Sequence, residues 1–212
     1  MNDLEKQFIS VCAEVGISED DQHTMVSFLS PLRDKNSVTH EHYLHSLRVG
    51  LLSRNIAKFL HLDEKALLMS GALHDLGKCQ VCINTLKKIK GWNAVDRKEI
   101  QKHVMSGYRL LRGRFDLSAD TMVRHHTFQP DGYPKKLPKF LHPYSATTKK
   151  LIVKYASLVA LADVYDALHR KNDKFGKERE LSGEEIRSIM IEINSDMVKL
   201  ISDLYDEKIF CC

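Results

Sequence analysis

The sequence predicts an all-α domain, and three observations predict it. Apolar residues recur at three- and four-residue spacing in segment after segment, several segments open on helix-capping residues, and no run alternates convincingly with the period of two that a half-buried strand needs. At 212 residues the chain has the size of one domain and is long enough to bury a substantial core. No internal repeat or low-complexity tract interrupts it.

Leu4, Phe8, Val11, Cys12 and Val15 predict a first amphipathic helix over 3–15. Ser18 and Asp21 make a capping-box-like start for a second, which carries Met25, Val26, Phe28 and Leu29 and stops before Pro31. These two form an N-terminal helical extension, residues 1–37, that suits a helical cap, a dimer element or the remnant of a regulatory region; residues 38–212 make up the main domain. A longer helix over about 40–60 presents Leu44, Leu47, Leu51, Leu52, Ile56 and Phe59. Asp63 caps the next, expected to run to Leu76, and Gly71 keeps one side of it small enough for a helix or a metal to approach. A linker ends near Asn93, after which Ile100, Val104, Leu110 and Leu111 mark a helix closed by Gly113. Ser118 is expected to cap a short helix ending in His125 and His126. Segment 127–143, rich in proline and lysine, reads as an ordered functional loop. Ser145 or Thr147 opens a long apolar helix through Leu168, and the capping box Ser182-Gly-Glu-Glu185 opens a last one carrying Ile186, Met190, Met197 and Leu204.

The formal charge of +4 is modest. Basic clusters at 87–90, 135–139, 149–150 and 170–177 would attract a phosphorylated ligand, but by count they read first as solvated faces and loops, and no duplex-binding motif is present. The opening residues have neither the basic nor the apolar region of a signal peptide, and no apolar run approaches a membrane span, so a cytoplasmic protein is expected. The odd number of cysteines argues against a disulfide scaffold. Cys79-Gln-Val-Cys82 lacks the second pair of a zinc finger and reads as two buried or loop thiols.

The chemistry gathers around His74-Asp75. A neutral nitrogen donor and a carboxylate stand together at a helix end, where a metal can take both. Glu41 and His45 are helical neighbours four residues apart, and His103, His125, His126 and Asp163 fall within further helices. Each has an ordinary explanation alone: Glu41 with His45 as a surface pair, His103 as a satisfied core histidine. Asp163 is harder to explain, because an ionised carboxylate inside an apolar run is costly without a cation. Together the donors exceed what one ion needs. Imidazole and carboxylate without thiolate favour iron, manganese or zinc.

With these motifs the chain resembles the HD-domain metal-dependent phosphohydrolases: His45, His74-Asp75 and Asp163 match in order. Glu41, the stretch from Leu86-Lys87 to His103, His125-His126, Gly132-Tyr133-Pro134 and Ala162-Asp-Val-Tyr-Asp-Ala167 resemble the HD-GYP branch, over about 40–185. The resemblance implies a helical bundle around two or three divalent ions, iron or manganese, and hydrolysis of cyclic di-GMP to a linear product. It implies Glu41, His45, His74, Asp75, His103, His125, His126 and Asp163 as ligands, Asp75 as the bridge, and Lys78 on the phosphate. Thr127 stands where the family has glutamate, and His169 to Lys177 replaces its Arg-Pro-Tyr-Arg stretch. Those are substrate-side positions.

From the residues, the expected reaction is in-line attack by a hydroxide held between two ions, with Lys78 drawing charge from the phosphoryl oxygens. Lys135, Lys136 and Lys139 are candidates for holding a second phosphate and Tyr133 for packing on a base, with solvated lysines and a structural tyrosine as the other reading. The expected partner is a cyclic dinucleotide or another phosphorylated small molecule. Two other functions are open: hydrolysis of a different nucleotide or phosphate ester, and a metal-containing module that senses a nucleotide or binds a partner without turnover. No sensor domain fits before Glu41, so any input signal is expected through the terminal helices, as in a homodimer, or from a separate regulatory chain.

Overall fold

A computed structural model describes residues 2–33, 39–88, 90–129, 131–169 and 180–211. The basic cluster at 170–177, including most of the stretch that departs from the family pattern, lies outside them. The described residues form helices and turns with no strand. In order these are α1 (Asp3–Glu14), α2 (Glu19–Leu29), α3 (Thr39–Phe59), α4 (Glu64–Leu73), α5 (Ile83–Leu86), α6 (Ala94–Leu111), α7 (Asp116–Met122), α8 (Ala146–Leu168), α9 (Gly183–Ile193) and α10 (Val198–Asp206). Short 3₁₀ turns cover Ser30–Leu32, Leu76–Gln80 and His125–Phe128. None of the described helices is long and apolar enough to cross a membrane.

Several helix starts follow from side-chain caps. Ser18, Asp63, Ser145 and Ser182 each accept a hydrogen bond from a first-turn backbone N–H, and Asn2 and Asn93 complete reciprocal capping boxes with Glu5 and Asp96. Ser118 does not cap. α7 already begins at Asp116, whose carboxylate accepts from Gly113 N, and Ser118 is buried inside the helix, accepting a hydrogen bond from Ser70. The expected single helix from Ser182 to Leu204 is two, because Asn194 leaves the helical region at φ −128° and its side-chain amide turns back to the Met190 carbonyl. α4 ends at Leu73 rather than Leu76.

α3 and α4 are the spine, and each faces two cores. Leu47, Leu51, Leu68 and Leu73 join Phe8, Met25 and Leu29 of the N-terminal helices and Val104, Leu111 and Met122 beyond. Val49, Ile56, Ala66 and Leu67 join Leu158, Leu161, Met190, Leu204 and Phe210. The two helices touch backbone to backbone at Gly71, where a β-carbon would lie 2.8 Å from the Val49 carbonyl oxygen and 3.0 Å from Gly50 Cα. The small residue therefore serves the helix contact. This contact brings the end of α4, with His74 and Asp75, against the middle of α3, with His45.

Candidate metal centre

Two donor groups meet in the interior. His45, His74, Asp75 and Asp163 place ligand atoms within 4.8 Å of one another, and so do Asp75, His103, His125 and His126. His45 comes from α3, Asp163 from α8 and His103 from α6, while His74-Asp75 ends α4 and His125-His126 opens the 3₁₀ turn after α7. All are buried, His45, His74 and His125 completely.

Asp75 belongs to both groups, one oxygen to each. Its Oδ2 is 3.4 Å from His45 Nε2 and 3.3 Å from His74 Nε2, and its Oδ1 is 3.1 Å from His103 Nε2. Asp163 Oδ1 completes the first group, 3.1 Å from His45 Nε2 and 3.6 Å from His74 Nε2.

The imidazoles are aimed by their other nitrogens. Nδ1 of His74, His103 and His125 lies 2.7, 2.5 and 2.5 Å from the carbonyls of Gly71, Ile100 and Met122, each three residues earlier in the chain. A carbonyl only accepts, so Nδ1 carries the proton and Nε2 presents its lone pair to the centre. Nε2 of these three histidines and Oδ1 of Asp75 are buried without a hydrogen bond, and Oδ2 is paired with the Lys78 ammonium. Buried polar atoms left this way are costly, and a cation in each donor group would satisfy them. With ligand bonds of about 2.1 Å, opposite donors around one ion lie about 4.2 Å apart. The donor atoms measured here, 3.1 to 3.6 Å apart, fall inside that span. The residues present fit divalent metal ions.

Charge points the same way. Burial alone would raise the Asp75 carboxyl, but Lys78 and His74 hold it well below the usual range. Asp163 is likewise opposed by burial and held low by His45 and His74. His74 resists charging through burial, yet Asp75 and Asp163 lift its pKa to about 10. Burial, followed by the charge of His74, takes His125 down to about 3. Two enclosed carboxylates thus draw a proton onto a ligand nitrogen, and a divalent cation competes for that lone pair.

Asp166, inside the motif Ala162 to Ala167, is a further member of the site to which the sequence alone assigns no role. One turn after Asp163 on α8, it holds His45 Nδ1 at 2.7 Å through Oδ2. Arg48, one turn after His45, grips the same carboxylate with Nε at 2.6 Å and Nη2 at 3.1 Å. Asp166→Ala removes the acceptor that orients His45 and leaves Arg48 beside no carboxylate. It is expected to weaken metal binding at the His45 group by about 10- to 100-fold and to spare the His103 group. Metal content per chain at limiting free Mn(II) checks this.

The other expected site residues divide. Lys78 reaches in and pairs with Asp75 Oδ2. Glu41 is exposed and joins neither group, because the first turn of α3 is still at the surface and full burial begins at Tyr43. Tyr133 lies at the centre, with its ring stacked on His126 at 4.4 Å between centroids. Its ring partner is His126 of the second donor group, as the structural reading of this tyrosine allows. Burial, then Asp75 and Asp163, push its hydroxyl above the ordinary tyrosine range, so it remains a donor. Lys135, Lys136 and Lys139 are exposed on the following loop. Cys79 and Cys82 enter neither donor group, and Cys79 packs against the N-terminal core.

Residues 43–168, more than half of the chain, match the family model of the HD domain. The chain belongs to the HD-domain family. Every member of the two donor groups falls within the matched residues of this HD domain. Ribonuclease Y of Mesoplasma florum is 28% identical over 118 residues, which cover 55% of this chain and 20% of that protein. The similarity thus spans about a fifth of that relative's length. The crystal structure of the HD domain of the phosphodiesterase PgpH from L. monocytogenes superposes with a TM-score of 0.57 at 18% identity, over 84% of this chain and 86% of that one. At that identity the likeness concerns the fold.

Proposed function

We propose that this HD domain is a metal-dependent phosphodiesterase that cleaves a cyclic dinucleotide of the cyclic di-GMP type to a linear product. The observation that carries the reading is the split carboxylate of Asp75, one oxygen to each of two buried donor groups. Iron or manganese ions bound there would acidify a water as nucleophile and offset charge on the phosphoryl oxygens. The histidines hold their Nε2 lone pairs inward, and Asp166 with Arg48 keeps His45 in register. Lys78 carries a positive charge to the wall where charge would build on phosphate. Tyr133 offers a hydroxyl donor beside His126. The motif Gly132-Tyr133-Pro134 supports a cyclic dinucleotide.

A second reading keeps the chemistry and changes the substrate to a short RNA. The similarity to a protein named a ribonuclease favours it, as does Thr127 at a position where the HD-GYP pattern has glutamate.

The test is hydrolysis of cyclic di-GMP and of a short RNA by protein purified anaerobically and loaded with Fe(II) or Mn(II), with metal content measured in parallel. A linear dinucleotide product from the first substrate is expected. Faster turnover of RNA moves the assignment to the second reading, and bound metal with no turnover of either overturns both. In the same assay Lys135→Ala with Lys136→Ala is expected to raise KM about tenfold with kcat little changed, the loss of roughly one charged phosphate contact.

A further inference from the structure

Segment 131–144 is fastened at both ends. At the near end, Tyr133 N donates to the His126 carbonyl at 3.3 Å and Gly132 N to the Gln129 carbonyl at 2.8 Å. Gly132 passes so close that a β-carbon would lie 2.7 Å from the Thr127 oxygen and 2.9 Å from that of His126. At the far end, three consecutive residues run along a stripe at four-residue spacing on α7 and the turn after it. Phe140 lies against Arg124, whose guanidinium carbon is 4.0 Å from the ring centroid. Leu141 N donates to Asp120 Oδ2 at 3.0 Å, and His142 Nε2 is 2.6 Å from Asp116 Oδ2.

The middle of this stripe lies in the interior. Asp120 is fully buried and Arg124 nearly so, and the Arg124 side chain also bonds the Asp120 carbonyl. Burying that pair costs desolvation that an exposed pair would avoid. Its partners lie on the strap, and Arg124 directly precedes the ligands His125 and His126. Between the two fastened ends lie Lys135, Lys136 and Lys139, all exposed. At about 3.5 Å per residue at most, Lys135 cannot be more than about 7 Å along the chain from Tyr133. The strap therefore presents its charge beside the centre.

We propose that the Asp116–Asp120–Arg124 stripe anchors a basic strap, and that this anchoring sets the site's preference for ligands bearing a second phosphate. The stripe residues are positioning residues. The inference rests on the phosphodiesterase reading but is read by binding, so the two can fail separately.

The probes are AMP and a phosphorothioate-linked diadenylate with a 5′-phosphate, bound at equilibrium to the Mn(II)-loaded chain. The wild type is expected to favour the dinucleotide. Phe140→Ala, which leaves α7 and every ligand in place, is expected to weaken dinucleotide binding about tenfold, the scale of one charged contact, with AMP affinity and metal content unchanged. His142→Ala is expected to act in the same direction. Combined with Lys135→Ala and Lys136→Ala, Phe140→Ala should add little, because both remove the same contact. Equal losses for both probes, additive losses with the lysine variants, or no wild-type preference would each overturn the anchor. A preference that the strap variants abolish, in a chain that hydrolyses no phosphodiester, would count against the proposed function and leave the anchor standing.

Discussion

Asp75→Ala is expected to release metal from both halves of the centre at once and to lower phosphodiester hydrolysis by at least about 10³-fold. The other ligands each belong to one half, so His45→Ala or His126→Ala should leave part of the metal bound. Asp75 belongs to both, with Oδ2 against His45 and His74 and Oδ1 against His103. Its loss also leaves Lys78 without the carboxylate it pairs with. Added Mn(II) should raise the melting temperature of the wild type, since a ligand that binds only the native state stabilises it, and should leave that of Asp75→Ala unmoved. Metal analysis and melting with and without Mn(II) check this. Asp75→Ala that keeps half or more of the wild-type metal would show that the two donor groups do not depend on a shared bridge.

The members of the donor groups are legible in the sequence because their chemistry is out of place where it stands. Asp163 sits in an otherwise apolar helix and His103 on an apolar stripe, and each needs a partner that the sequence around it does not supply. Their supports were harder to read. Asp166 follows Asp163 by three residues and Arg48 follows His45 by three, so each lies on the ligand's own helix face. That spacing was the available signal, but the pairing of Asp166 with His45 and Arg48 depends on how α3 crosses α8, a tertiary fact. The strap shows the same division. The four-residue spacing of Asp116, Asp120 and Arg124 is visible in the chain, while their engagement of Phe140, Leu141 and His142 is not. Glu41 points the other way: four residues from His45 is the right spacing for a shared ligand face, but the helix is still at the surface there. Ser118 misled because serine is a common cap, and the aspartate two residues earlier had already started the helix.

Gly77→Ala is expected to destabilise the fold by about 3 kcal/mol, lowering the melting temperature by roughly 10 °C for a chain of this size, and to cost the His103 half of the centre. Gly77 resembles a helix-stopping glycine after His74-Asp75, but its φ is not left-handed, and its role is close approach. A β-carbon there would lie 1.8 Å from the His103 carbonyl oxygen and 2.5 Å from Gly107 N. Both are backbone atoms, so no side-chain rotation relieves the clash. Either the turn over Leu76–Gln80 or α6 must move. The residue whose carbonyl is struck is itself a member of the second donor group, with Nε2 3.1 Å from Asp75 Oδ1, and a displacement on the scale of that overlap separates the two. Gly107 provides the control on the same contact. A β-carbon at 107 meets Met122 Cε at 2.6 Å, the far end of a flexible side chain, and the Gly77 backbone only at 3.1 Å. Gly107→Ala should therefore melt closer to wild type and retain more metal. Thermal melts with metal analysis on the two variants decide it, and equal behaviour would show that the close contact at Gly77 does not hold His103 to Asp75.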